Sequence, residues 1–499
     1  MMRSLFSGVA GLRTHQTRMD VIGNNIANVN TTAYKSQSMT FSDLMYQTTQ
    51  AASGANATTG VGGTNARQIG LGSKTSAIKT NISGQGSAQS TNDAFDIMIS
   101  GDAFFVVNNG SENFFTRDGS FYIDGRGNLA MTSNGYNVMG WGLDDADPTL
   151  IKKGAVQPLR LMTGENMVSN PEATTRATVD GIVDRFDTDV LSKTGKVMNL
   201  EFFDSQGYKY TARFNIRTCD ALDLGEHGSF YVELDDIFDP DGKSVAVKDA
   251  TTGAITNFTF GSGATAIQDA KGNAVTKKVV GADGKEVDQQ VTNAIILQFV
   301  DGKGTFAGVS TTNPADAIGG GGTALLGLKQ NTANNTGMAN FEDIVIDFSA
   351  TFNYNKNGAS TIGALGGDSA NNGLGAGRKT GAMSGLTVQK DGRIYADYDN
   401  GERRLLGQIA TASFANPSGL AKEGDNLYSS TMNSGDFDGI GEDITANGGR
   451  MDSGVLEMSN VDLAAEFTEM ITTQRGFQAN SRIITVSDTL LEELTNLKR

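Results

Sequence analysis

The residue types that most often bind metals or act as nucleophiles are scarce in this chain. His15, His227 and Cys219 are its only histidines and its only cysteine in 499 residues. One subunit therefore cannot assemble a Cys/His zinc site, a disulfide or a Cys-x-x-Cys redox pair. Two roles for Cys219 remain open, a small buried residue or a link between subunits.

Two short segments resemble ligand loops, but neither has the residues that its ligand requires. Gly242-Lys243-Ser244 matches the end of a phosphate-binding loop, yet Ile237 stands where the first glycine is needed. The acidic run 436–443 resembles a calcium loop, but Ile440 occupies its fifth position and Asn447 its twelfth, where a glutamate belongs. We interpret the first segment as a turn and the second as a solvated acidic loop. No catalytic, cofactor-binding or metal-binding residue is predicted.

The composition indicates a protein whose partners are other proteins. With 40 Lys and Arg against 56 Asp and Glu, the net charge is −16, which disfavours nucleic acid and anionic membranes because they carry the same sign. The 63 glycines and only 6 prolines predict many turns and loops. No apolar run is long enough for a signal-peptide core or a membrane span.

Both ends of the chain carry an amphipathic helical pattern, with apolar residues three and four apart. The N-terminal stripe consists of Leu5, Val9, Leu12, Met19, Ile22, Ile26 and Val29. The C-terminal stripe consists of Leu463, Phe467, Met470, Phe477, Ile484, Leu491 and Leu494, with Gln474, Ser481 and Asp488 at the intervening heptad positions. Gly8, Gly11 and Gly23 interrupt the first helix, each at a cost of roughly 0.8–1 kcal/mol relative to alanine. Neither helix is therefore expected to be stable without a partner.

The middle of the chain alternates apolar and polar residues with the period of a β-strand. This pattern predicts a hairpin over residues 197–217 and a strand over residues 344–354. Runs rich in Gly, Ser, Thr and Asn predict loops or linkers at 51–65, 317–340 and 356–381. The predicted fold class is therefore α+β and multidomain. Terminal helices form a coiled-coil-like inner domain, and predominantly β inner, middle and outer domains are inserted between them.

Segments at both ends resemble the signatures of the bacterial flagellar rod and hook family. The N-terminal signature is DVIGNNIANVNTTAYKS at 20–36, and the C-terminal one covers 459–467 and 470–482. Residues 115–141 resemble the inner β-domain of that family. The signature residues are Asn24, Asn25, Ile26, Ala27, Asn28, Tyr34, Lys35, Asn460, Val461, Asp462, Gln474, Arg475, Gln478 and Asn480.

The resemblance implies a particular order of domains. An inner assembly domain is built from both chain ends, and two halves of a β domain D1 flank one or more outer β domains D2. The predicted bounds are 1–70 and 456–499 for the assembly domain, 71–156 and 381–455 for D1, and 157–380 for D2 with an extra inserted domain at about 216–340.

The resemblance also implies a structural role without catalysis or a cofactor. The subunit would be exported unfolded, without a cleaved signal peptide, to the extracellular flagellum, and would polymerise there through the two helical stripes. Its partners would be copies of itself and the flagellar rod, hook cap, hook-filament junction and export proteins. We expect the free monomer to be ordered only over about 70–455, with Phe477 and Ile484 exposed.

Several alternatives remain open at this point. The long insert favours the hook branch over the rod proteins, and the β-rich middle disfavours the hook-filament junction protein. Outside the family, a carboxylate hydrolase would need paired carboxylates with perturbed pKa values in a pocket. A surface adhesin would not need amphipathic helices at both ends.

Overall fold

In sequence order, a long helix lies near each end of the chain, and β-strands occupy most of the sequence between them. The computed structural model describes residues 2–54, 60, 62–144, 147, 149–218, 228–249, 254–269, 272–280, 286–300, 302–312, 321–330, 337–371 and 373–497. Cys219 and His227 lie outside the described residues. Among the described residues, the α-helices are α1 (Met2–Ala27) and α2 (Leu463–Asn496). The α+β prediction is confirmed, and among the described helices none has the length and apolarity to cross a membrane.

The strands between the helices are mostly short, and in chain order they are β1 (Gln37–Asp43), β2 (Tyr46–Gln50), β3 (Arg67–Gly70), β4 (Ser73–Thr80), β5 (Ala88–Ser90), β6 (Ile97–Ser100), β7 (Phe104–Asn108), β8 (Asn113–Thr116), β9 (Phe121–Ile123), β10 (Leu129–Met131), β11 (Asn137–Trp141), β12 (Gln157–Pro158), β13 (Val168–Ser169), β14 (Arg176–Val183), β15 (Lys196–Phe203), β16 (Lys209–Thr218) and β17 (Ser229–Phe238). The series continues with β18 (Thr259–Phe260), β19 (Thr276–Val280), β20 (Glu286–Gln290), β21 (Ala294–Phe299), β22 (Phe306–Ser310), β23 (Thr323–Gly327), β24 (Ile344–Asn353), β25 (Gly363–Gly366), β26 (Gly381–Val388), β27 (Arg393–Tyr398), β28 (Arg403–Ile409), β29 (Thr411–Ala412), β30 (Ala421–Gly424), β31 (Leu427–Ser429), β32 (Arg450–Ser453) and β33 (Val455–Glu457). Short 3₁₀ turns occupy Ser369–Asn371, Pro417–Gly419 and Ile444–Asn447.

The chain folds into two compact units. Unit 1 consists of Met1–Met167, Ser384–Asp397 and Arg403–Arg499, and unit 2 consists of Val168–Met383 and Tyr398–Glu402. Both chain ends therefore belong to one unit, while the other is an insertion. The bounds of the assembly domain, D1 and D2 that the resemblance implies remain predictions.

Unit 1 combines the two helices with an antiparallel sheet. Its strands follow the order β27-β28-β11-β7-β8-β31-β30, so segments far apart in sequence alternate across the sheet. The core beneath it is aromatic. Phe115 packs edge-on against Phe414 with ring centroids 4.7 Å apart, and Phe104 contacts both Phe414 and Tyr428. Such edge-to-face pairs add specificity to the burial of large apolar side chains.

Unit 2 is a sandwich of two five-stranded sheets. One sheet has the order β15-β16-β17-β21-β22 and the other has the order β18-β23-β24-β14-β25, with β14 and β24 parallel. The hairpin predicted at 197–217 is β15 and β16, and the strand predicted at 344–354 is β24. In both, alternate side chains face the shared core. The period of two in the sequence therefore reports one buried and one solvated face.

Residues of the predicted extra domain at 216–340 are built into this sandwich. Strands β17, β21 and β22 complete one sheet, and β18 and β23 belong to the other. Strand β21 is buried along its whole length because a second cluster packs on its outer face. That cluster consists of Tyr231, Ile267, Val275, Val291, Ala294 and Ile296. The described residues of 216–340 thus belong to unit 2, to which they add a layer.

We predict that unit 2 can be removed only as a whole. The chain enters and leaves it through paired strands, with Val168 opposite Ala382. Replacing 168–383 by a short Gly-Ser linker should leave unit 1 with a cooperative thermal transition.

Deleting 216–340 removes three strands of one sheet and exposes core residues such as Phe214, which is fully buried, so this variant should aggregate. Calorimetry and light scattering would check both. A soluble, cooperatively melting 216–340 deletion would show that this segment is a separate domain after all.

Candidate assembly interface

Within the described part of the chain, no group of three His, Cys, Asp or Glu residues is placed to hold a metal ion. The residues singled out by the sequence signatures instead converge in unit 1, where the two chain ends meet. Two features make up this region. One is the contact between α1 and α2, and the other is a buried polar cluster, which we call the terminal junction (Asn25, Tyr34, Lys35, Arg117, Glu457 and Asn460).

The two helices pack antiparallel. Ser4 Oγ lies 3.5 Å from Ser487 Oγ near one end of the pair. Arg18 Nη2 donates to Glu469 Oε2 at 2.9 Å further along, and Asn25 Nδ2 donates to Glu466 Oε1 at 2.8 Å at the other end. Residue numbers thus rise along α1 as they fall along α2.

Glycines allow the helices to approach closely. A Cβ added at Gly11 would lie 2.8 Å from the side-chain amide of Asn480, and one at Gly8 would lie 3.3 Å from Ile484 Cγ1. From the other helix, a Cβ at Gly476 would lie 2.6 Å from the His15 ring. The residues that weaken α1 as an isolated helix are therefore those that its contact with α2 requires. Gly23 differs, since a Cβ there meets nothing within 4 Å.

The α2 face that contacts α1 repeats with alternating steps of three and four residues. The series consists of Met470, Thr473, Phe477, Asn480, Ile484, Ser487 and Leu491, all partly or fully buried, and the neighbouring Gly476 and Ser481 are half-buried beside it. The intervening polar positions are thus Thr473, Asn480 and Ser487, one residue before the predicted Gln474, Ser481 and Asp488. The first step after Met470 is three residues, not the four that sequence analysis assumed. Phe477 and Ile484 are half-buried in the single chain, so they are not exposed as we had expected.

The other residues of the predicted stripes differ in exposure. On α1, Ile22 is buried, Leu5, Leu12, Met19 and Ile26 are half-buried, and Val9 is 39% exposed. Val29, which the stripe included, is half-buried in the turn after the helix, because α1 ends at Ala27. On α2, three predicted members point away from the helix contact and are 38–51% exposed, namely Leu463, Phe467 and Leu494.

A buried ion pair lies at the centre of the terminal junction. Lys35 Nζ donates to Glu457 Oε1 at 2.7 Å, and the two side chains are 1% and 0% exposed. The same carboxylate oxygen accepts the backbone N–H of Gly86 at 2.8 Å. The Glu457 backbone carbonyl accepts the N–H of Ala33, a residue held at φ 56°. The segment after α1 is thereby fixed to the segment before α2.

A second buried cation approaches the same carboxylate. Arg117 Nη1 lies 3.9 Å from Glu457 Oε2, and the guanidinium carbon lies 5.0 Å from the centre of the Phe104 ring. Burial lowers the pKa of the Lys35 ammonium, although the Glu457 charge opposes this shift, and burial likewise lowers the pKa of Arg117. Glu457 is thus the main carboxylate that compensates both cations, with a smaller contribution from Asp102, and its removal would leave two buried charges without their strongest partner.

Amide side chains complete the junction by satisfying backbone groups. Asn25, fully buried, accepts the N–H of Gln37 through Oδ1 at 2.9 Å, and its Nδ2 donates to the Gln37 carbonyl at 2.8 Å. Tyr34 OH donates to Asn25 Oδ1 at 3.3 Å. Asn460 accepts the N–H of Ser36 at 2.7 Å and donates to two carbonyls, those of Asn81 and Gly84. These amides have partners in segments that only the fold brings together.

The remaining signature residues have local or no visible roles in the chain. Asp462 caps α2 by accepting the N–H groups of Ala464 and Ala465, which satisfies donors at the helix start. Asn24 and Asn28 hydrogen-bond each other, and Asn24 also donates to the Tyr34 hydroxyl. Ile26 and Val461 are half-buried, whereas the exposed signature residues are Ala27, Gln474, Arg475 and Gln478.

Sequence reasoning missed Glu457 and Arg117, the two residues that complete the charge cluster. Glu457 precedes the C-terminal signature by only two residues, and a lone glutamate there resembles any surface acid. Burial at Lys35 was the missing information. A stronger signal was available for the helix contact, because Gly8, Gly11 and Gly476 are small residues inside two apolar stripes.

Comparisons with known proteins agree with this arrangement. Three family models match: "Flagella basal body rod protein" over residues 5–35, "Flagellar hook protein FlgE/F/G D1 domain" over 98–181, and "Flagellar basal body rod FlgEFG protein C-terminal" over 452–497. The flagellar hook protein FlgE of Borreliella burgdorferi is 34% identical, with 100% of both chains covered. The chain belongs to the flagellar hook protein family.

Other relatives place the chain within the flagellar axial proteins. The hook protein FlgE of Treponema pallidum is 33% identical over 100% of both chains. The basal-body rod protein FlgG of Bacillus subtilis is 26% identical over 100% of both, which makes the rod assignment the weaker alternative. Among solved structures, Helicobacter pylori FlgE2 matches 74% of this chain and 100% of its own, at 12% identity and a TM-score of 0.34.

The buried ion pair should contribute far more to stability than the exposed one between the same chain ends. Lys35→Met leaves the Glu457 charge buried and should cost about 3–5 kcal/mol. Arg18→Met removes a pair whose members are 27% and 53% exposed and should cost at most about 1 kcal/mol. Chemical unfolding of the full chain measures both. Lys35→Met combined with Glu457→Gln should not restore stability, because it leaves the buried Arg117 charge without the Glu457 carboxylate. Equal losses for Lys35→Met and Arg18→Met would contradict the central role of the junction.

Gly11 and Gly23 of α1 should respond differently to alanine. Gly23→Ala gains helix propensity, about 0.8–1 kcal/mol, without meeting a neighbour. Gly11→Ala gains the same propensity but displaces the Asn480 amide, which donates to the Gly476 carbonyl at 3.0 Å. Thermal loss of the helical circular dichroism signal should therefore shift upward for Gly23→Ala only. The close-approach argument would be wrong if both variants were stabilised equally.

Proposed function

We propose that this structural subunit of the flagellar hook polymerises through its terminal helices into a hollow curved tube that passes motor torque to the filament. The observation that supports the proposal is a second set of apolar side chains on α2 that stay partly exposed in the single chain. We call it the outer stripe, and its members are Leu463, Phe467, Ile471, Ile483, Val486, Leu490 and Leu494, with exposures of 38–57%.

The outer stripe lies on both flanks of the helix contact. At about 100° per residue, Leu463, Phe467 and Ile471 lie on one flank, while Ile483, Val486 and Leu490 lie on the other. A helix with apolar side chains on three sides needs more than one partner helix. Because α1 covers one side, neighbouring copies would cover the other two. Each side chain buried there would contribute about 1.5–3 kcal/mol.

The N-terminal helix adds apolar surface to the same proposal. Phe6 is 64% exposed and Val9 39% exposed near its start. In the tube, the predicted stripes would thus have a divided role. Phe477 and Ile484 would bind α1 of their own chain, while Leu463, Phe467, Leu494 and Val9 would contact other copies.

The mechanical role follows from two kinds of contact. Packed helices resist shear, so a tube built on them would be stiff in twist. Small polar contacts between β units can slide, so the tube would be soft in bending and would act as a universal joint. The flagellar rod, hook cap, hook-filament junction and export proteins would be its partners, and the assembly would be extracellular, reached without a cleaved signal peptide.

A charge in the outer stripe should abolish polymerisation without affecting the fold. Leu490→Asp places an unpaired carboxylate where a neighbouring copy would pack, which is costly, yet Leu490 is 45% exposed in the chain. Its thermal transition should therefore stay near that of the wild type while sedimentable tubes disappear.

Thr489→Asp, at the adjacent exposed position, is the matched control and should still assemble. Ile484→Asp, on the α1 contact, should lower the thermal stability of the helix pair as well as assembly. Long tubes formed by Leu490→Asp would show that the outer stripe is not the contact between copies.

A further inference from the structure

Unit 2 carries a cleft that the terminal helices do not explain. It has a volume of about 400 Å³, and its walls include Arg185, Phe186, Val300, Lys303 and Tyr354. Two features of its lining bear on a partner, namely exposed aromatic rings and two cationic side chains.

The aromatic rings are exposed although each is large. Phe186 is 55% exposed and Tyr354 is 42% exposed, and the aliphatic Val300 in the same cleft is 39% exposed. The Tyr354 ring stacks on Phe352, with centroids 5.6 Å apart and planes 11° apart, and Phe352 is itself 38% exposed. Clustered apolar side chains on a soluble surface mark a site of interaction.

Two cations line the cleft beside these rings. The Arg185 guanidinium carbon lies 4.8 Å from the centre of the Phe186 ring, and Lys303 lines the same cleft. Within the described ranges no carboxylate pairs with either. Asp184, the nearest acid in sequence, is buried, and its carboxylate accepts backbone N–H groups of Phe186, Lys356 and Gly358.

The walls of the cleft are fixed by the backbone. Asn353 donates its N–H to the Gly304 carbonyl at 2.8 Å, and Gly304 donates to the Val300 carbonyl at 2.9 Å. Gly304 has φ 65°, and a Cβ there would lie 2.0 Å from the Asn353 carbonyl oxygen. The loop that carries Lys303 is thus held against β24, and the cleft exists before any partner binds.

We propose that this cleft binds an acidic surface segment of a second copy of the chain, giving unit 2 a contact of its own between subunits. The inference rests on the proposed polymer. Charge complementarity favours this partner, because a chain of net charge −16 presents acidic surface to every neighbour. Aromatic and arginine side chains are the types enriched at protein interfaces. A contact of this kind is reversible and depends on salt.

The test uses tubes polymerised from the purified full chain. Arg185→Glu with Lys303→Glu reverses the cleft charge. Lys243→Glu with Lys379→Glu makes the same change in net charge at exposed positions elsewhere in unit 2 and is the control. At low salt the cleft variant should raise the critical concentration for assembly about three- to tenfold relative to the control. At about 1 M salt, where screening acts within roughly 3 Å, the difference should vanish.

A photo-crosslinking benzoylphenylalanine at Tyr354 provides the second readout. In tubes it should join two chains at an acidic peptide, whereas the same probe at Tyr208, which is 57% exposed, should not select acidic peptides. Equal critical concentrations for cleft and control variants would overturn the proposal, as would binding of an acidic polysaccharide to the cleft without any effect on assembly. Failure of the wild-type chain to form tubes would instead overturn the proposed function.

Discussion

The burial of Glu457 is the constraint on which the terminal region depends. A carboxylate that is 0% exposed is tolerated only while Lys35 and Arg117 lie beside it. Lys35 comes from the segment after α1, Arg117 from the β-sheet, and Glu457 from the segment before α2. Each of these charges has an oppositely charged partner in another segment, so the two chain ends are coupled to each other and to the sheet. Breaking one contact leaves an unpaired charge in the interior, so the loss of one segment strongly destabilises the other two.

The glycines of α1 likewise make the N-terminal segment depend on its contacts with the rest of the chain. An isolated helix with Gly8 and Gly11 is weak, and the closeness of its approach to Asn480 and Ile484 leaves no room for larger residues. The stability of α1 therefore depends on its contact with α2 more than on its own helix propensity. A segment built this way can travel as an unfolded chain and gain its order from a partner. The antiparallel pairing within one chain is the first such partner.

Much of the fold was predictable because its signals are local. Alternation at 197–217 and 344–354 gave the correct strands, since each has one face in the core of the sandwich. The α+β class and the paired ends were also predicted correctly. The step after Met470 was not, because both a three- and a four-residue step keep apolar side chains on one face, and only the packing against α1 decides between them. Glu457 and Arg117 were missed because burial of a charge depends on segments distant in sequence.

Two apolar surfaces on one helix have different consequences for assembly. The face of α2 toward α1 is interrupted by Thr473, Asn480 and Ser487, whose polar groups restrict the pairing to one register. The outer stripe, with Val486 and Leu490 exposed, carries no such polar series among its members. The chain therefore fixes the pairing of its own two helices through polar groups, whereas the α2 surface proposed for contact between copies is apolar and its packing would depend on shape and burial alone.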